Sequence, residues 1–363
     1  MYSESDLEAA VTAGALTPQQ AASFRDHVAA NRHMPAVDEE HFRLLTGFND
    51  IFVSIAAVIL LVAVGSIGYY VGPRIDGDGP TPFMGLFVAA VAWGLAEFFT
   101  RQRRMALPSI LLLLAFVGGT FAFSGFALAL GIGPDRIDNN PTVGALAISA
   151  AAAIAAGAAW FHWRRFKVPI TVAAGVAALS ALVLGLILSV VGETPATEKI
   201  VLVAALLLGV GVFLLAMRWD GSDPKRETRR SDVAFWLHLL AAPMIVHPVF
   251  TLLGLTEGTA TPLEAVTVVL LYIVLGLAAL AIDRRALLVS ALAYVLYALD
   301  SLFREYGAVE LSVALTALVI GSALLLLSAF WTNARRAVVQ PLPESLRGRL
   351  PVVDRVSVAA TAA

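Results

Sequence analysis

No cysteine occurs among the 363 residues, which removes disulfides, iron–sulfur clusters and thiol catalysis. Charge is scarce as well. Asp, Glu, Lys and Arg make up 14% of the chain, where a soluble globular protein carries about 25%. Lysine is nearly missing: Lys167, Lys199 and Lys225 stand beside 22 arginines. That bias, with abundant Ala, Val, Leu and Gly, points to a GC-rich bacterial genome. No basic segment precedes an apolar run at the N-terminus, so no cleavable signal peptide is expected. A P-loop, a His-Glu-x-x-His zinc motif and a Gly-x-Ser-x-Gly elbow are all missing, and nothing resembles a nucleic-acid module. His238 and His247 lie nine residues apart, about 13 Å along a helix, so they cannot share a haem iron. No catalytic residue, metal site or cofactor is expected.

What the chain does have is apolar length. Hydrophobic residues make up 59% and the mean hydropathy is +0.81. A helical span needs about 20 apolar residues. Ten stretches qualify: 49–71, 82–100, 107–131, 141–162, 168–191, 199–217, 233–255, 263–281, 286–303 and 308–331. They are too long and too continuous for barrel strands, which leaves helices as the way to satisfy the backbone in lipid. The expected fold is an all-α, polytopic transmembrane bundle of ten spans, residues 48–332. A short cytoplasmic helical segment (1–47) precedes it and a basic, Pro-containing tail (333–363) follows.

The basic residues crowd into alternate connections. Arg101, Arg103 and Arg104 share one loop, and Arg164, Arg165 and Lys167 the next but one. Arg218, Lys225, Arg226, Arg229 and Arg230 follow, then Arg284 and Arg285. With both termini, that side holds all but Arg74, Arg136, Lys199 and Arg304. The positive-inside rule makes it cytoplasmic, so both termini lie inside and the site of action is the bacterial inner membrane.

In the N-terminal segment, Thr17-Pro18-Gln19-Gln20 reads as a capping box with Pro at the first helical position. Gly14 ends a preceding helix, and Asp38 is expected to cap a third stretch. About forty residues of short helix bury too little to be stable alone. The segment is therefore expected to pack on the basic face or on a protein partner; the bilayer is the other partner. Ala13-Gly14-Ala15-Leu16-Thr17-Pro18-Gln19-Gln20, leading into many-helix membrane sequence, resembles bacterial inner-membrane proteins grouped as domain-of-unknown-function family 2157. These begin with a short helix pair linked by Gly-Leu-[Ile/Ser/Thr] and Gln; here Ala15 separates Gly14 from Leu16. The family has no established activity, so the resemblance implies architecture only. The tail, with Arg335, Arg336, Arg347 and Arg349, is expected to lie along the anionic inner leaflet.

Two turns read alike. Ala96–Arg104 leads to Pro108 and Ala158–Lys167 to Pro169, each with aromatics, an Arg cluster and then Pro; Asp283-Arg284-Arg285 lacks the Pro. Either hairpins were duplicated or positive-inside selection made the turns similar. The small residues of 141–162 suit close helix approach and a central place. Gly68-Tyr69-Tyr70-Val71-Gly72 gives a GxxxG spacing in the first span.

Ionisable groups inside spans are functional candidates. Glu97 lies four residues before Arg101 and reads as an interfacial ion pair, and His162 as interfacial beside Arg164. The seventh span holds His238, Pro243, His247 and Pro248. A kink at Pro243 is expected, with irregular backbone near His247. The ninth supplies Ser290, Tyr294, Tyr297 and Ser301 on one face, with Asp300 at its edge. His247 and Asp300 each lie fifteen residues beyond a cytoplasmic end, about 22 Å out, so a His247–Asp300 contact supported by Tyr297 is expected. One reading makes His238, His247, Asp300, Tyr294 and Tyr297 a proton- or substrate-handling site of a permease. In the other, the histidines bond carbonyls freed by the prolines while Asp300 snorkels outward, and the protein is a non-catalytic scaffold. An intramembrane lipid-modifying enzyme ranks third, for want of clustered nucleophiles.

Overall fold

The computed structural model describes residues 4–31, 48–223, 228–255, 262–285, 288–292, 294–296, 312–347 and 350–351, and among them every regular element is helical. The chain forms two compact units. One holds α1 (Glu4–Thr12) and α2 (Pro18–Asn31). Thr17 and Gln20 make the expected capping box: the Thr17 N–H donates to Gln20 Oε1 at 2.9 Å, and the Gln20 N–H to Thr17 Oγ1 at 3.2 Å. Gly14 takes φ +73° between the helices, and Leu7 and Ala21 are buried.

The other unit holds the apolar helices. They are α3 (Phe48–Tyr69), α4 (Pro82–Ala96, continued by a π-helical turn Glu97–Gln102), α5 (Ala106–Ile132), the short α6 (Pro134–Asp138), α7 (Pro141–Phe166), α8 (Ile170–Val191), α9 (Thr197–Gly221) and α10 (Arg229–Leu252). Then come α11 (Pro262–Ile282), helical residues at 288–292 and 294–296, α12 (Ser312–Ala329), α13 (Trp331–Val339) and α14 (Glu344–Arg347). Seven helices among the described residues are long and apolar enough to cross a membrane, α3, α4 with its π turn, α5 and α7–α10. These are the first seven stretches expected from hydropathy. An eighth is reached if α12 and α13, bent by 75°, count as one.

Side chains sort as a lipid solvent requires. On α3, Ser54, Ala57, Leu61, Gly65 and Gly68 face inward, while Phe52, Ile55, Ile59 and Val62 are exposed. Small residues make the contacts and bulky ones meet lipid.

The unit is built from hairpins. α4 packs most extensively on α5, α7 on α8 and α9 on α10. In each pair a glycine lets two backbones touch. A Cβ on Gly119 of α5 would lie 2.8 Å from the Gly85 carbonyl oxygen of α4; one on Gly185 of α8 would meet Ala145 O of α7 at 3.1 Å; one on Gly209 of α9 would meet Met244 of α10 at 2.8 Å. Three basic turns also share a non-glycine residue in the left-handed region: Arg104 at φ 54°, Lys167 at 56° and Asp283 at 57°. The similarity of the turns is therefore one of backbone as well as composition. The GxxxG of α3 serves the α3–α4 contact. Gly68 lies against the backbone of Phe83 and Met84, and Thr81 Oγ1 donates to the Gly68 carbonyl at 2.7 Å.

α10 is the most enclosed of the seven, with half of its apolar window buried; for α7, expected at the centre, the share is 39%. α10 also runs unbroken through Pro243 and Pro248, where irregular backbone was expected. Its backbone is braced at Met244 by the close approach of α9 at Gly209, and packed neighbours make Pro tolerable in a membrane helix. The expected boundary between bundle and tail, at 332/333, falls inside α13. Trp331, Arg335 and Val339 are buried, so one face of this stretch is docked on the helical unit.

Candidate functional site

α9 continues past the expected end of its span at 217, and its last turn carries Asp220. That residue is 3% exposed and meets two partners. Arg284, from the turn after α11, donates from Nη2 to Oδ1 at 2.5 Å and from Nε to Oδ2 at 3.3 Å. His238 of α10 lies with Nε2 2.9 Å from Oδ2. A carboxylate only accepts, so Nε2 carries a hydrogen. Arg284 Nη2 also donates to the Ser231 carbonyl at 3.1 Å. The forked pairing is the strong geometry for guanidinium and carboxylate. His238 is 1% exposed and Arg284 3%, and the Phe213 ring stands edge-on to the imidazole at 5.3 Å. One carboxylate thus joins α9, α10 and the turn after α11.

A second link starts at the neighbouring residue. Asp283, 3% exposed, accepts from Trp331 Nε1 at 2.8 Å and lies 3.7 Å from Arg335 Nε. Arg335, 1% exposed, donates from Nη2 to the Pro351 carbonyl at 2.6 Å. The left-handed backbone at Asp283 turns consecutive residues into different helices: Asp283 holds α13, and Arg284 holds α9 and α10. Asp223 starts the next connection. It accepts from the Thr228 N–H at 2.9 Å and hydroxyl at 2.7 Å, fixing the residue that caps α10.

His247 lies elsewhere. Nine residues beyond His238, it is exposed, and its Nδ1 is 2.7 Å from the Tyr294 hydroxyl. The Tyr294 ring packs on buried Phe250 at 4.4 Å. The seventh and ninth stretches therefore meet through two of the candidate residues, His247 and Tyr294, a pairing the sequence did not single out. Tyr297, Asp300 and Ser301 lie outside the described residues, and with them the expected His247–Asp300 contact. In these contacts each histidine meets a side chain.

The other two intramembrane groups part company. Glu97 pairs with Arg101 at 3.3 Å, as expected, and also receives both Arg165 Nε at 2.7 Å and Nη2 at 2.9 Å. It joins the first basic turn to the second. His162 is fully buried. The α7 face that carries it turns inward, onto Thr171 Oγ1 at 3.2 Å and among the rings of Trp93, Phe116 and Phe166.

Asp220, Asp283, Arg284 and Arg335 are the residues that sequence reasoning missed. All sit at span ends, where a charge reads as a solvated loop residue. The available signal was Asp next to Arg-rich turns, and it is common. The buried cluster is suited to fastening helices: it unites opposite charges and sets no hydroxyl or amine nucleophile beside the imidazole among the contacts described. The exposed His247–Tyr294 pair is the one suited to meeting a ligand. Compared with protein-family models, with curated proteins and with solved structures, the chain matches none.

Proposed function

We propose that this chain is a ten-span bacterial inner-membrane permease or carrier, both termini cytoplasmic, with its polar site at His247 and Tyr294. The observation that carries the reading is an exposed histidine within an apolar helix, five residues before its end, hydrogen-bonded to a tyrosine of another stretch. Ionisable groups in that setting are costly and mark pathways for protons or polar cargo. The orientation is supported by the charge of the loops.

A second reading, a non-catalytic scaffold, is favoured by the buried Asp220–His238–Arg284 and Asp283–Arg335 links, which tie helix ends rigidly. One experiment separates the two. The phenotype of a strain lacking the protein is complemented with a His247→Ala, Tyr294→Phe double variant and with a variant lacking residues 1–36. A carrier fails with the double variant; a scaffold that docks a partner through its N-terminal helices fails with the truncation and tolerates the double variant.

A further inference from the structure

We propose that the groove between α11, the helical residues 288–292 and α12 is a binding site for one anionic phospholipid, its acyl chain in the groove and its phosphate on Arg285. The groove measures about 130 Å³, and its walls are apolar: Leu288, Leu292, Leu324 and Leu327, with Trp331 beside them. Arg285 also lines it. Its neighbours Val289, Leu325 and Leu326 are exposed bulky residues on apolar helices, a surface that meets hydrocarbon. The competitor for such a groove is an acyl chain and not water.

The charged end is built rather than incidental. Trp331 is 4% exposed and held by its bond to Asp283. The Arg285 guanidinium lies 4.7 Å from the centre of that ring, while the side chain itself remains exposed. Cation–π stacking leaves the guanidinium edge free to donate to phosphate oxygens in a forked geometry. Arg284, one residue earlier, is spent on Asp220, so the two arginines of the turn divide structural and ligand roles. The 75° bend at α12–α13 carries α13 away from the line of α12 just where the groove meets the basic turn. An acyl chain lying along α12 therefore brings its headgroup to Arg285. A phospholipid with a net negative head complements this end; a zwitterionic one brings its own cation.

The test uses the full chain in nanodiscs of equal parts phosphatidylglycerol and phosphatidylcholine, with retained lipid read by native mass spectrometry after gentle release. The wild type is expected to retain one phosphatidylglycerol in preference to phosphatidylcholine by about fivefold, the worth of one basic side chain at an anionic surface. Arg285→Gln, at an exposed position, should abolish the preference. Leu327→Trp, which fills the groove, should abolish retention of both lipids, and Arg103→Gln, at another basic turn, should change nothing. Circular dichroism and a monodisperse elution profile establish that each variant is folded. Unchanged preference in Arg285→Gln overturns the proposal, as does equal loss in Arg103→Gln. Cross-linking between copies through a cysteine at Val289 would put a second chain in the groove and overturns it too.

Discussion

Replacing Asp220 by Asn should destabilise the helical unit by about 3–5 kcal/mol, the cost of leaving one partner of a buried ion pair uncompensated. Asp220 accepts from both Arg284 nitrogens and lies within hydrogen-bond distance of His238 Nε2, and all three residues are at most 3% exposed. Asn keeps the volume but supplies one acceptor oxygen in place of two and no charge. Arg284 then has only the Ser231 carbonyl and half of its fork. Arg284→Met removes the cation instead and leaves Asp220 with His238. Removing both charges relieves the uncompensated partner, so the double variant Asp220→Asn, Arg284→Met should be more stable than the sum of the single losses implies. Unfolding of the detergent-solubilised protein by graded sodium dodecyl sulfate, followed by circular dichroism, measures each corner of the cycle. The reasoning is refuted if each single change costs less than about 1 kcal/mol, the range of exposed pairs, or if the two losses add. Glu97→Gln provides the comparison: its partner Arg165 is 41% exposed in the side chain, and the effect should be clearly smaller.

Other outcomes follow from particular contacts. Trp331→Phe leaves a smaller aromatic ring and removes the donor to Asp283, and should cost at least about 1–3 kcal/mol in the same titration. Arg104→Gly should be neutral or stabilising by up to about 1 kcal/mol, because only glycine occupies the left-handed region without strain; Asp283→Gly, at the same backbone angle, should destabilise, because its carboxylate holds Trp331. Gly209→Leu should separate α9 from α10 at Met244 and lower the yield of folded protein in detergent, whereas Gly211→Leu, with open space at its Cβ, should be tolerated.

Hydropathy alone located the first seven spans because bulk apolar length is a property of the sequence in one dimension. The charge of the loops ordered them into hairpins for the same reason. What it could not reach was pairing across helices. Asp220 and Arg284 are 64 residues apart, and each looks solvated at its own span end. His238 read as a histidine beside a proline because its partner sits on α9. The prolines of α10 predicted a kink and irregular backbone near His247, whereas the helix runs unbroken and lies close to α9 at Gly209. Depth did not point to the His247–Tyr294 contact: His247 lies fifteen residues beyond Asp232 and Tyr294 nine beyond Arg285, about 9 Å apart along straight helices. Which residue of the ninth stretch His247 would meet depended on helix rotation, and hydropathy does not encode rotation.

The absence of cysteine makes the most direct measurement clean. Single cysteines at 247 and, as a lipid-facing control, at exposed Leu207 of α9 are treated with a membrane-impermeant maleimide applied from the outer face of sealed, oriented vesicles. A carrier whose site opens outward predicts rapid modification at 247 and none at 207. A cysteine at 247 as unreactive as that at 207 would mean that water does not reach the site, and would contradict the carrier reading.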